Sequence, residues 1–176
     1  LIEINTRFVN WLETVFLKTR LMIMYKRILV AVDGSPTSNM ALSAALEMAG
    51  FSDGKSIVRL IHVIDEMAYF MALDPYAGQS YAMLSVMREA GKKILADGLA
   101  IVQSAGVQAD TVLVDQLDGH LAESLAAQVK AWDASLVVVG THGRKGVGRV
   151  LMGSGAEQII RMSTCPVLVI RSAQGA

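Results

Sequence analysis

The residues best suited to chemistry lie in one stretch: Gly140-Thr141-His142-Gly143, nine residues from Arg144 to Met152, then Gly153-Ser154. Glycines lack a Cβ and let a ligand come close to the backbone. Ser154-Gly155-Ala156-Glu157 fits a capping box, in which serine and glutamate satisfy free N–H groups at a helix start. The remaining donors and the positive end of the helix dipole make an anion site, and Arg144, Lys145 and Arg149 add positive charge nearby. The chemistry this suits is binding of a phosphate chain. The plainer alternative is a tight turn flanked by solvated basic residues.

Two familiar phosphate motifs fail here. Gly146-Val147-Gly148 begins like a dinucleotide fingerprint, but Leu151 stands where the third glycine belongs. Gly148 and Gly153 have P-loop spacing, but Ser154 replaces the lysine that stabilises charge between the β- and γ-phosphates, so fast hydrolysis is not expected. A second constellation, Asp33-Gly34-Ser35-Pro36, offers a carboxylate together with a helix-capping turn. Beside phosphates that carboxylate must bond a hydroxyl or share a cation, for which Mg²⁺ is the natural companion. His142 lacks a visible partner as a general base, and His62 sits in an apolar run and reads as a satisfied core group. Cys165 before Pro166 reads as a strand-entry residue, and no His, Cys and carboxylate spacing resembles a zinc site.

These residues need a scaffold to bring them together. Apolar runs at Ile28–Val32, Ile57–Ile64, Thr111–Val114, Leu136–Val139 and Val167–Ile170 read as strands buried on both faces. Between them, helical spacing predicts helices over Thr37–Ala49 (Met40, Ala41, Ala44, Ala45, Met48), Gln79–Ala105, Leu121–Trp132 and Ala156–Met162. Strict alternation gives an α/β, doubly wound five-stranded parallel sheet of expected order 3-2-1-4-5 with helices on both faces. Ligands in such sheets bind at the carboxyl ends of the strands where the order reverses, between strands 1 and 4. The loops after Val32 and Val139 are therefore the ones to read, and the long connection Asp65–Gly78 is a candidate lid.

The chain of 176 residues balances 16 basic against 16 acidic side chains, which disfavours a nucleic-acid or anionic-membrane partner. A single cysteine cannot form an internal disulfide and fits a reducing compartment. No apolar run reaches the roughly 18 residues of a membrane span. Residues 1–23 form an extension ahead of the domain at 24–176, with Phe8, Trp11, Leu12, Val15 and Phe16 at the spacing of an amphipathic helix. Its interspersed charges argue against a signal peptide and leave as readings a translated leader ahead of the domain, or a docking or membrane-surface helix.

Met24-Tyr25-Lys26-Arg27-Ile28-Leu29-Val30-Ala31-Val32-Asp33-Gly34-Ser35 resembles the opening of a universal stress protein. The Gly140-x-x-Gly143, nine-residue, Gly153-Ser154 pattern is similar to the loop of that family's nucleotide-binding branch, and Cys165-Pro166-Val167-Leu168-Val169-Ile170 resembles its last strand. The resemblance spans 24–171. It implies a cytoplasmic homodimer that binds ATP and acts in stress adaptation; an edge strand such as Val167–Ile170 can pair with its symmetry mate and so suits the dimer contact. It also implies roles: Asp33 near the ribose or metal-phosphate region, Val63 against adenine, Gly140 along the ribose and phosphate path, and Gly143, Gly153 and Ser154 as donors to phosphate. Arg144, read above as nearby positive charge, completes the expected nucleotide-binding set.

Three functional readings follow. The first is a nucleotide-dependent switch or binding module that alters a regulatory protein partner. The second is a slow Mg-dependent ATPase or phosphate-transfer protein, and the third a dimeric scaffold without nucleotide.

Overall fold

The computed structural model describes residues 25–52, 55–64, 80–115, 121–141 and 154–171. The described elements, in chain order, are β1 (Arg27–Ala31), α1 (Pro36–Gly50), β2 (Ile57–Val63), α2 (Ser80–Ser104), β3 (Gln108–Val114), α3 (Leu121–Trp132), β4 (Leu136–Gly140), α4 (Ser154–Met162) and β5 (Val167–Ile170). The five strands form one all-parallel sheet of order β3-β2-β1-β4-β5, the order read from the alternation of elements. The extension at 1–23 and the connection at 65–78 lie outside the described residues.

Alternation along each strand sends side chains to two separate cores. On one face Ile28, Val30, Val58, Leu60, Leu136 and Val138 pack against Ala41, Leu42, Ala45 and Ala49 of α1 and Leu95 and Val102 of α2. On the other, Leu29, Ile61, Val137 and Val139 pack against Ala122, Leu125 and Val129 of α3 and Ala156 and Ile159 of α4. The α1 stripe is mostly alanine, so this helix lies close on the sheet. Met40, which shares the helical period, is exposed.

β3 begins at Gln108, three residues before the apolar run that marks it in the sequence. Ala109 and Asp110 pair with Val58 and Arg59 in register despite their weaker apolarity, because β3 is an edge strand and only half-buried. α2 stops where Gly106 adopts φ 72°, with Val107 N–H donating to Val102 O at 3.3 Å, the closing bond of a left-handed helix cap. α3 ends the same way at Asp133, φ 52°, where Ala134 N–H reaches Val129 O at 2.9 Å. Asp133 has a Cβ, and Arg27 pairs with its carboxylate and donates to its carbonyl at this cap.

Candidate functional site

The sheet order reverses at β1, which has β2 on one side and β4 on the other. The β1–β2 register runs to Ala31↔Ile61 and the β1–β4 register to Val30↔Val138. Continued past these pairs, both registers set Asp33 level with Val63 and with Thr141, all just beyond the carboxyl ends of their strands. Val63 is half-buried, while Thr141 is buried and donates its N–H to Ile170 O at 2.8 Å.

The turn after β1 is built by short polar side chains. Asp33 Oδ1 accepts the N–H of Ser35 at 2.9 Å, an Asx turn, and Gly34 supplies the φ of 79° that follows. Ser35 is the N-cap of α1: its Oγ accepts Ser38 N–H at 3.2 Å, and Pro36 occupies the first helical position. Ser38 Oγ in turn donates to Ser35 O at 3.1 Å and accepts Asp33 N–H at 3.4 Å. The first turn of α1 carries no acidic residue, so the positive end of its dipole faces the Asp33 carboxylate and the crevice.

Gly140 ends β4 directly beneath this turn. A Cβ there would lie 3.1 Å from the carbonyl carbon and from Cβ of Thr37. The close seating of α1 on β4 thus favours a glycine at 140 on packing grounds, since any side chain there would press on the backbone of Thr37. Thr37, Ser38 and Thr141, which the sequence reading passed over, also stand at this switch point. Their signal was a cluster of small hydroxyl residues at two strand ends, and it became informative only once the register brought those ends together.

Of the residues read as site residues, Asp33, Val63 and Gly140 come together at the switch point. Gly143, Arg144 and Gly153 lie outside the described residues, as does His142. Ser154 opens α4, on the opposite face of the sheet from α1. Glu157, in the first turn of α4, accepts from Arg161 at 2.5 Å through one carboxylate oxygen. His62 is 8% exposed and its Nδ1 lies 2.7 Å from Val32 O. Cys165 is half-buried just before β5 and bonded to Ser163, in keeping with a strand-entry residue.

Among the described residues no group of three or more His, Cys, Asp or Glu is arranged to hold a metal ion, and no helix is long and apolar enough to cross a membrane. A hollow of about 180 Å³ lies between α3 and α4, lined by Ala122, Glu123, Gln158, Arg161 and Met162. Asp33, Val63, Gly140 and Thr141 are not among its lining residues, and it is smaller than the ~300 Å³ where ligand pockets begin.

The universal stress protein family model matches residues 24–171. The chain belongs to that family. It is 30% identical over 155 residues to a universal stress protein of Bacillus subtilis, covering 84% of this chain and all of the relative. A Methanocaldococcus jannaschii universal stress protein is 32% identical over 148 residues, covering 84% of this chain and 83% of that one. A solved structure of a family protein from Burkholderia pseudomallei superposes with a TM-score of 0.68 at 33% identity, covering 85% of this chain and 98% of that one. Two more distant structures, each 19% identical, share the fold: an Archaeoglobus fulgidus protein in complex with dAMP, TM-score 0.59, and an Arabidopsis thaliana protein with AMP bound, TM-score 0.60. They cover 84% and 85% of this chain and 99% and 93% of their own.

Proposed function

We propose that this universal stress protein binds an adenine nucleotide, ATP with Mg²⁺, in the crevice between β1 and β4 and serves as a nucleotide-dependent switch in stress adaptation. The observation that carries the reading is the convergence of Asp33, Val63 and the first turn of α1 at the point where the sheet order reverses. The dAMP and AMP complexes of fold relatives support an adenine nucleotide as the ligand class. In this reading Val63 borders the base and Asp33 bonds the ribose or shares Mg²⁺ with the phosphates. Gly140 lines the ribose and phosphate path, and Gly143, Arg144, Gly153 and Ser154 bind phosphate oxygens. The residues fit a cation held mainly by the nucleotide, since Mg²⁺ in such sites takes one or two carboxylates and keeps phosphate and water ligands.

Any hydrolysis is slow, because no lysine follows Gly153 to stabilise charge between the phosphates. The chain works in the cytoplasm as a homodimer paired through β5, and the nucleotide alters its contact with a regulatory protein. A ligand drives such a change only through unequal affinity for two conformations.

The test is calorimetric titration of nucleotide-free protein with ATP, with and without Mg²⁺, beside the Gly153→Val variant. Saturable binding by the wild type, lost in a folded Gly153→Val protein, is the expected result. Gly153 is preferred to Gly140 because a side chain at 140 would also disturb the seating of Thr37. A folded Gly153→Val protein that binds ATP normally would refute the phosphate site.

A further inference from the structure

The β1–β2 ladder ends at the site in an unusual way. Its last backbone bond among the described residues runs from Val32 N–H to Ile61 O at 2.9 Å. The alternation of a parallel ladder would next engage the carbonyl of Val32. That oxygen lies 2.7 Å from His62 Nδ1 instead, so a side chain of β2 takes over where the strand pairing stops. A carbonyl only accepts, so Nδ1 carries a proton and donates.

Val32 O and Asp33 N–H belong to the same peptide group. His62 holds its oxygen, and Ser38 Oγ accepts from its N–H at 3.4 Å. The peptide plane that launches the Asp33 turn is therefore fixed on both sides, by a residue of β2 and by the first turn of α1. Neither partner is exposed: His62 is 8% and Ser38 4% accessible.

The fold makes room for this ring. A Cβ at Gly91 of α2 would lie 2.8 Å from His62 Cδ2 and 2.8 Å from Leu113 Cδ1, so α2 carries a glycine in mid-helix where the imidazole lies. Glycine is unfavourable in a helix interior, and a buried imidazole must be hydrogen-bonded to be tolerated. An aliphatic side chain at 62 would fill the same layer without the polar ring, but would leave Val32 O without this donor.

We infer that His62 is a positioning residue for the site: its Nδ1–H fixes the Val32–Asp33 peptide plane and so aims the Asp33 carboxylate into the crevice. The expected link to ligand affinity rests on the nucleotide-binding reading; the fixing of the turn does not.

The test has a ligand-free arm and a binding arm. In the wild type, ¹⁵N NMR of the imidazole should show the proton of the neutral ring on Nδ1, and a ring protonated on Nε2 alone would overturn the proposal without any variant. Amide exchange is then compared in wild type, His62→Asn, which keeps a donor at the δ position, and His62→Leu, which does not. Exchange at Asp33 and Ser35 should rise about three- to tenfold in His62→Leu relative to β4 amides, the range one neutral hydrogen bond covers, and return most of the way in His62→Asn. Unchanged exchange in His62→Leu, or equal loss in both variants, would overturn it. If His62→Leu does not fold, the tautomer and His62→Asn exchange still decide: near-wild-type protection at Asp33 and Ser35 supports the proposal, and full loss overturns it. In the binding arm, ATP affinity should fall by a similar factor in His62→Leu and recover in His62→Asn, whereas equal affinity in all three would sever His62 from the site. Failure of the wild type to bind ATP would overturn the nucleotide reading, and the exchange data would still decide the role of His62.

Discussion

In the proposed function Asp33 has two separable jobs, one in the turn and one toward the ligand, and an isosteric change distinguishes them. Its Oδ1 accepts Ser35 N–H, which an asparagine oxygen can also do, but only the carboxylate carries charge toward Mg²⁺ and the ribose. Asp33→Asn should therefore leave urea-unfolding stability within about 0.5 kcal/mol, since the turn bond survives, while weakening Mg-ATP binding in a titration. Unchanged binding would return Asp33 to a purely turn-forming role. Residue type and spacing made Asp33, Gly34 and Ser35 readable in the sequence. The parts played by Thr37, Thr141 and His62 were hidden, because each depends on strand register and helix seating. Arg59 was equally illegible: it makes a bidentate pair with Asp110 at 2.6 and 2.7 Å and lies 4.5 Å from the Trp132 ring centroid. The Asp110 hydrogen bond raises the Arg59 pKa above its ordinary value against the opposing effect of burial. A basic group with a raised folded pKa contributes stability that is complete below its unfolded value and lost only as pH rises through the folded one. Arg59 itself should thus add no pH dependence near neutrality, and unfolding of an Arg59→Met variant compared with wild type at pH 6, 7 and 8 should show one constant difference.

At the scale of elements, continuous apolar runs made the central strands legible, since strands covered on both faces need no polar residues. The start of β3 was not, because an edge strand tolerates Gln108 and Asp110 where a central strand would not. Helical glycines divide in the same manner between what sequence and what packing decides. Gly50 closes α1 with nothing within 4 Å of a built Cβ, whereas a Cβ at Gly98 of α2 would lie 2.9 Å from Cδ1 of the fully buried Leu60. Alanine gains up to about 1 kcal/mol in helix propensity at either position, but overpacking a closed core costs about 1–3 kcal/mol. Gly50→Ala should accordingly stabilise by roughly 0.5 kcal/mol and Gly98→Ala destabilise by roughly 1 kcal/mol, measured as opposite shifts in thermal midpoint. Two shifts of the same sign would mean that α2 moves to accommodate the methyl group, contrary to the close seating described.

For the whole molecule, the sheet leaves two edges, and β5 is the one we propose pairs with a second copy. Thr141 N–H donates to Ile170 O and Val137 N–H to Pro166 O, so the even-numbered residues of this segment face β4. By alternation, the N–H and C=O of Val167 and Val169 point away from β4, along an edge that no described strand pairs with and whose side chains are all half-buried. A twofold-related β5 running antiparallel would satisfy these groups and cover the edge, as isologous strand pairing requires. Proline tolerates an edge position whose N–H faces outward, because no bond within the sheet is lost there. Val169→Pro should therefore leave the monomer folded, with its circular dichroism unchanged, while sedimentation equilibrium shows a dimer converted to a monomer. The backbone argument gains force from Val167→Pro, which removes the other outward N–H and should act alike, whereas a proline at Leu168 would remove a bond to β4 and unfold the edge. A Val169→Pro protein that remains a dimer would move the interface off β5, and a monomeric wild type would leave this edge to a different partner.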